Sequence, residues 1–582
     1  MLALSGVQRF ISESRSTSDL SSASEIVARL AAEAAWACRK EGAVVVFPAL
    51  NGEGGSAGGS ATKGVGMPNR VVALTPAGQG ERIAGRAAAA VEARWTGWVR
   101  RAFDREVATP GMPSVQWVCA PAALGGYQER WRAAQAGLVA RRRVRDFPPV
   151  EYLEQRLCSL SPRWPAEDDL PRDLRAHERD ALSAANWVKR LWRERLSDSG
   201  KRPGFPSTSA IASATFRQQV LEHLDDPTVR GAVDELRRCV VDSLDPVRET
   251  PMPGLHASGE PGEWLAAAAG RWVYEDTWQE AVLQREYGEL ATSQVVSSGR
   301  AAARRLLNTM WSQYKVPAPT DHLALLAQDL DSMGRFLGGE AVAGRRLAVT
   351  QDAHTQVSRR LGALAEAQCA RLASAELLGV PVYAGGDDLL AFAAAKTALS
   401  AAAACHAAVP PELPTASTAV LFFHHRSSLR QALRQVRRLL DEAKDAAADK
   451  HALAVGFLRR SGVREHSIQP WVPAAMGGQA TAAELFGVFA ESPQRRLSPR
   501  LVADLERDAD ELADPDLPES FYRAELARLV ERHGGSRTDA EALLRLGLQE
   551  RAWEPAAGER QPGSRRPVAA ARVAVFIRQE CR

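Results

Sequence analysis

Across residues 382–391 an apolar run of Val382, Tyr383 and Ala384 breaks at Gly385, Gly386, Asp387 and Asp388, then resumes with Leu389, Leu390 and Ala391. Two apolar segments around so short a polar tip predict a β-hairpin. Both glycines are expected to supply positive φ and open backbone for its turn. Upstream, residues 322–334 read as a buried strand that ends in Asp329 and Asp331, with Gly334 opening the next turn. Residues 351–378 carry Val357, Leu361, Leu364, Ala365, Leu372 and Ala375 at helical spacing, and Gln368 is the one polar interruption of that face. Past the hairpin the pattern gives a helix, a strand over 417–423, a helix over 427–447 and a strand over 452–458. The order β-α-β-β-α-β is ferredoxin-like.

A second unit of this kind is legible at the N-terminus. A short apolar strand at residues 2–4 meets a turn at Ser5 and Gly6, followed by a helix near 21–40, strands at 43–50 and 70–74, and an amphipathic helix over 81–103. A Gly/Ser-rich loop at 51–64 joins the two strands. It has no paired aspartates, which points to a structural role for this unit. Residues 106–300 read as mostly helical, with a basic cluster at 141–145 that fits a solvated face. Pro- and charge-rich stretches at 245–263 and 314–320 precede the second unit. Residues 466–582 are helical in pattern, with a Pro/Gly/Arg-rich break at 554–566 and a final apolar strand or helix at 571–577.

The hairpin carries the chemistry. Asp387 and Asp388 at an exposed turn repel each other, and Asp329 on the neighbouring strand adds a third carboxylate. A divalent cation, Mg²⁺ or Mn²⁺, held by carboxylate oxygens beside a phosphate substrate, resolves that repulsion. Alone, such a tip is equally an ordinary Gly-Asp turn. Within a ferredoxin-like order it is the layout of a palm domain, where acids from two strands clamp metal ions that activate a 3′-hydroxyl and stabilise the leaving pyrophosphate. The backbone amides of Leu330, Asp331, Ser332, Met333 and Gly334 are expected to cradle phosphate at a helix N-terminus. Gly385, Gly386, Ser417 and Lys444 complete the expected nucleotide site, with Lys444 placed to hold a triphosphate. His424 and His425 alternate faces on a strand and read as packing and capping residues, unlikely to chelate one ion together.

Composition narrows the class. Lys plus Arg (74) nearly balances Asp plus Glu (70) over 582 residues, so any RNA surface is a local patch rather than a bulk charge effect. The 7 cysteines form no CxxC pair, which excludes a disulfide framework and makes zinc unlikely and suits a reducing cytoplasm. No window approaches the roughly 18 apolar residues of a membrane span.

Several stretches together resemble the large, palm-containing subunit of type III CRISPR RNA-guided effector complexes in its Cmr (III-B) form. They are VYAGGDDLLAF at 382–392, AQDLDSMGRFL at 327–337, HTQVSRRL at 354–361, the Ala443-Lys444 pair and HALAVGFLRRSG at 451–462. Others lie outside the palm: SGVQRFISESRSTSDLSSAS at 5–24, VVVFPAL at 44–50, MPNR at 67–70, ANWVKRLW at 185–192 and FPSTSAIA at 205–212. The resemblance implies an α+β multidomain chain, with two ferredoxin-like palm (nucleotidyl cyclase-like) domains at 1–105 and 301–465 interleaved with mainly helical domains at 106–300 and 466–582. It implies ATP as substrate, cyclic oligoadenylate as product, and activation when guide RNA pairs with target RNA. It further implies a nucleotide pocket between the two palms, reached by Asn69 and Arg70. Expected partners are the small subunit, a palm-adjacent RNA-binding subunit and both RNAs. The family's zinc knuckle is degenerate here, where Cys158 stands without a second cysteine and Ser183 replaces a ligand. Among the 11 histidines none is followed by Asp, so the HD phosphohydrolase activity of many relatives is not expected. Two rivals remain. A non-catalytic scaffold has no use for three converging carboxylates, and a diguanylate-cyclase-like enzyme has no reason to share the stretches outside the palm.

Overall fold

The computed structural model describes residues 1–50, 67–143, 155–172, 174, 179–197, 204–244, 250–268, 270–446, 450–471, 480–491, 497–508, 512, 517–552 and 567–581. Ten strands form two sheets: β1 (Leu2–Ser5), β2 (Val44–Phe47), β3 (Arg70–Leu74), β4 (Ser114–Trp117), β5 (His322–Leu330), β6 (Gly379–Gly385), β7 (Asp388–Ala394), β8 (Ala416–His424), β9 (Ala452–Leu458) and β10 (Arg464–Pro470). The first sheet has the order β2-β3-β1-β4 and the second β10-β9-β8-β5-β7-β6. Each contains the antiparallel ferredoxin-like arrangement, and β9 and β10 extend the second beyond β8.

The apolar pattern explains why the second sheet is central. β5, β8 and β9 are apolar on both faces and accordingly buried on both. Leu323, Leu325 and Ala327 face a core shared with the helix Leu429–Asp445 and with the first sheet's Leu2, Leu4 and Val71. Ala324 and Leu326 face the opposite way, onto the helices Gln351–Leu372 and Ala398–Ala407 and the C-terminal helices. The final apolar segment is the helix Val568–Glu580. The expected break at 554–566, the loop at 51–64 and residues 144–145 of the basic cluster lie outside the described residues.

Three features depart from the sequence reading. The helix of the first unit begins a turn earlier than expected, at Thr17, where the Ser16 hydroxyl accepts from the Asp19 amide. A fourth strand, β4, lies past residue 105 inside the stretch read as helical. Its four residues are all half-buried and alternate too weakly to signal a strand. His424 and His425 do not point apart. β8 ends at His424, so the period-two rule lapses, and the two rings stack at 4.9 Å with Asp321 3.7 Å from each. At the degenerate zinc knuckle, Cys158 Sγ accepts from Ser161 N and Asn186 Nδ2, and Asn186 Nδ2 also donates to Ser183 Oγ. No helix among the described residues is long and apolar enough to cross a membrane.

His425 gives the fold a measurable acid sensitivity. The residue is 5% exposed, its ring stacked on Tyr274 and bonded to Ser209 Oγ at 2.8 Å. Burial first, then the charges of His424 and Arg426, push its pKa down to about 3. The unfolded chain therefore binds a proton below pH ~6.5 that the folded chain refuses, and stability falls as pH drops from there toward about 3. We expect thermal unfolding to show about 2 kcal/mol less stability from this group at pH 5 than at pH 7.5. His425→Gln should flatten that slope, and an unchanged slope would remove His425 as its source.

Candidate functional site

β5 and β7 pair so that Asp329 lies directly opposite Asp388. The hairpin tip between β6 and β7 adds Asp387, and one carboxylate oxygen from each of the three acids lies within 4.8 Å of the others. At an effective dielectric of about 20, two like charges about 4 Å apart repel by about 4 kcal/mol. Burial, followed by the charge of Asp329, raises Asp387 to about 6. Burial, a side-chain hydrogen bond with Asp329 and the charge of Asp387 raise Asp388 well above the carboxylate range. The acids are half-buried rather than exposed, because Met67 and Pro68 from the first unit cover the tip.

The two glycines do different work. Gly386 has φ 65° and makes the turn, whereas Gly385 does not have positive φ. A Cβ at Gly385 would stand 2.9 Å from Met67 O, so its role is to let a second backbone approach. Leu330 N donates to Asp387 O at 3.0 Å, which ties the tip to the end of β5.

One cation enters the cluster. Lys444, near the end of the helix Leu429–Asp445, forms an ion pair with Asp329 Oδ2. Burial acts to lower its pKa, but the charge and hydrogen bond of Asp329 outweigh burial and the net shift is upward. Tyr383 sits close by, its phenol kept protonated by burial and by the charge of Asp388. Arg70 approaches from the first unit, near enough for its charge to act on Asp387.

Asp331 and Ser417 stand apart from the clamp. Asp331 is 1% exposed, and its carboxylate accepts from Ser417 Oγ at 2.8 Å, Thr415 Oγ1 at 3.0 Å and the His451 amide at 3.0 Å. Burial raises its pKa, with these bonds opposing. Ser417 is itself fully buried and also accepts from Ala452 N. The pair therefore brackets the ends of β5, β8 and β9 instead of facing a nucleotide. The amides of Leu330 and Asp331 are likewise spent, on Asp387 O and Thr415 O, which takes them out of the expected phosphate cradle. Ser332 caps the short helix Met333–Leu337 with φ 54°, and Met333 and Gly334 open it. Thr415 and His451 escaped the sequence reading because nothing local ties either to an acid more than eighty residues away.

The arrangement defines a palm-type protein, with an acid clamp on the edge of one ferredoxin-like unit closed by a second such unit. Residues 322–454 match the model of the Cas10/Cmr2 second palm domain, and residues 1–100 match the N-terminal model of the CRISPR-associated protein Cmr2. Over these two stretches the chain is similar to Cas10/Cmr2-type large subunits. It is 24% identical over 253 residues to the CRISPR system Cmr subunit Cmr2 of Pyrococcus furiosus, a match that spans 38% of this chain and 26% of that protein. Its fold is similar to a type III-B Cmr-beta structure in the apo state, with a TM-score of 0.62 and 14% identity over 92% of this chain and 77% of that one. A type III-B Cmr-beta structure bound to cognate target RNA is similar to the same degree, at TM-score 0.62 and 13% identity over 99% and 82% of the two chains.

Lys444 occupies Asp329 in competition with any cation at the clamp. We expect Lys444→Met to tighten Mn²⁺ binding by roughly tenfold while weakening ATP binding, since an approaching triphosphate loses that ammonium. Calorimetric titration of each ligand checks this. Weaker Mn²⁺ binding by the variant would contradict it.

Proposed function

We propose that this chain is the catalytic subunit for synthesis of cyclic oligoadenylate from ATP in a type III effector complex, switched on by target RNA. The observation that carries the reading is the convergence of Asp329, Asp387 and Asp388, three hard oxygen donors within 4.8 Å of one another, with burial and the neighbouring carboxylates raising Asp387 and Asp388. Such a donor set fits Mg²⁺ or Mn²⁺. A divalent cation bound there would lower the pKa of a ribose 3′-hydroxyl and offset charge on the departing pyrophosphate.

The chain's own groups do the rest. Asp388 orients the attacking 3′-hydroxyl of one ATP toward the α-phosphorus of another. A 3′–5′ phosphodiester forms, the bond to pyrophosphate breaks, and repetition followed by closure gives the ring. Lys444 passes from Asp329 to the triphosphate. The amides of Ser332, Met333 and Gly334 face the phosphates, and Gly385 and Gly386 leave the tip low enough for a nucleotide to approach. Asn69 and Arg70 reach in from the first unit. Asp331 and Ser417 act as positioning residues by fixing the strand ends.

Other Cmr-type subunits, guide RNA and target RNA are the proposed partners, in the cytoplasm. The Cmr-beta folds support the assembly, and seven unpaired cysteines support a reducing compartment. The division into two palms and two helical regions extends the same proposal.

In the reconstituted complex with Mg²⁺, labelled ATP and complementary RNA, Asp387→Ala/Asp388→Ala should reduce cyclic product by at least about 10³-fold without loss of target RNA binding. No product from the unaltered complex while it still binds target RNA would leave a scaffold instead.

A further inference from the structure

Two pairs of polar positions with the same spacing meet in the stretch between the ferredoxin-like units. Cys158 and Ser161 stand three residues apart in a short loop, and Ser183 and Asn186 three residues apart where the helix Ala184–Leu191 begins. Backbone bonds fix both loops. Cys158 N donates to Trp164 O at 2.9 Å and closes the first, and Ser159 N donates to Ala181 O at 2.8 Å and ties it to the second. All four residues are buried, none of them more than 5% exposed. Two such pairs held against each other are the frame of a four-thiolate zinc site. Here the frame presents one thiol, two hydroxyls and a carboxamide, a donor set that does not fit zinc.

Asn186 is what the other three positions share. Its Nδ2 donates to Cys158 Sγ at 3.3 Å, to Ser161 Oγ at 2.9 Å and to Ser183 Oγ at 3.2 Å. Glu13 fixes which way the amide faces. Ser161 Oγ gives its only proton to Glu13 Oε2 at 2.5 Å, so toward Asn186 it can only accept, and an amide turned the other way would set oxygen against oxygen. One NH₂ group thus shares its two protons among three acceptors on both loops. It joins the positions that a metal ion would join, through contacts longer than a zinc–sulfur bond of about 2.3 Å. In so buried a place the loss of one shared donor leaves several acceptors unsatisfied at once.

The cross-link continues into the first ferredoxin-like unit. Beyond Ser161, the Glu13 carboxylate accepts from Arg163 Nη1 at 2.5 Å and from Nη2 at 3.0 Å. Three residues past Asn186, on the same face of its helix, the fully buried Lys189 donates from Nζ to Phe10 O and Glu13 O, each at 2.7 Å. Those carbonyls lie at the end of the helix Val7–Ser12, so the loops, the helix Ala184–Leu191 and the first unit are held by one connected set of polar bonds.

We propose that Asn186 is a positioning residue whose side-chain amide does the cross-linking of a zinc ion, leaving a knuckle that is closed by hydrogen bonds and independent of metal. The proposal does not depend on the chemistry of the palm. Its test is to place the ion in the frame. Ser161→Cys/Ser183→Cys/Asn186→Cys is made in the full chain, with Asp387→Asn/Asp388→Asn added to it and to the control so that the acid clamp takes up no metal. Under reducing conditions this variant should bind one equivalent of Co²⁺ with the intense visible absorption of a tetrahedral thiolate site, lose that band to Zn²⁺, and melt several degrees higher with Zn²⁺ than in EDTA. The control, with Ser161, Ser183 and Asn186 intact, should show no such band and melt at the same temperature in Zn²⁺ and in EDTA. A folded variant without the tetrahedral band would overturn the proposal, as would a control whose melting temperature falls in EDTA. If the variant does not fold, a double-mutant cycle decides. Asn186→Ala and Ser161→Ala should each lower the melting temperature, and together by clearly less than the sum, because both break the same bond. Additive losses, or an Asn186→Ala chain that melts as the unaltered one does, would reduce Asn186 to a filler of space and overturn its role as the cross-link.

Discussion

Three carboxylates within 4.8 Å set the constraint on which the rest depends. Left to themselves they would spread apart or take up protons, and backbone position has to be imposed on them from outside. The β5–β7 register fixes two, the bond from Leu330 N to Asp387 O fixes the third, and the Asp331 bracket fixes the strand end that carries Asp329. Each restraint comes from a central, doubly buried strand, which is why the site lies on the second sheet and not on the smaller first one. A cation bound between the three carboxylates would offset that repulsion.

The first unit closes the site without contributing an acid to it. Its sheet repeats the same topology with a different set of side chains at the critical register positions, and its approach is possible only because residue 385 has no Cβ. Both units thus shape the surroundings of the acid cluster, although the recognisable motif lies in one.

The sequence made the hairpin legible because everything that defines it is local: two apolar runs, two glycines and two acids in ten residues. Asp329 was legible from the same logic, an acid closing an apolar strand. Asp331 looked identical at that level, yet it is structural, since its three donors come from Thr415, Ser417 and His451 and no spacing rule connects them to it. Lys444 could be named but not its partner, because a helical lysine is usually solvated and only the packing of its helix across β5 brings it to Asp329. β4 was missed for a related reason: four half-buried residues have no periodicity to read, and its existence is settled by pairing with β1. The pairing of His424 with His425 failed in the opposite direction, by extending a strand rule one residue past the strand.

The contact between the hairpin tip and Met67 is lopsided in what it asks of the genetic code. Met67 takes part through its carbonyl, which every amino acid possesses, whereas Gly385 takes part through the absence of a side chain. At this contact a substitution at position 67 keeps the carbonyl, although the Met67 side chain also packs against the core, whereas a Cβ at position 385 would stand 2.9 Å from that carbonyl. The contact thus constrains the side chain on one of its two sides and only the backbone on the other.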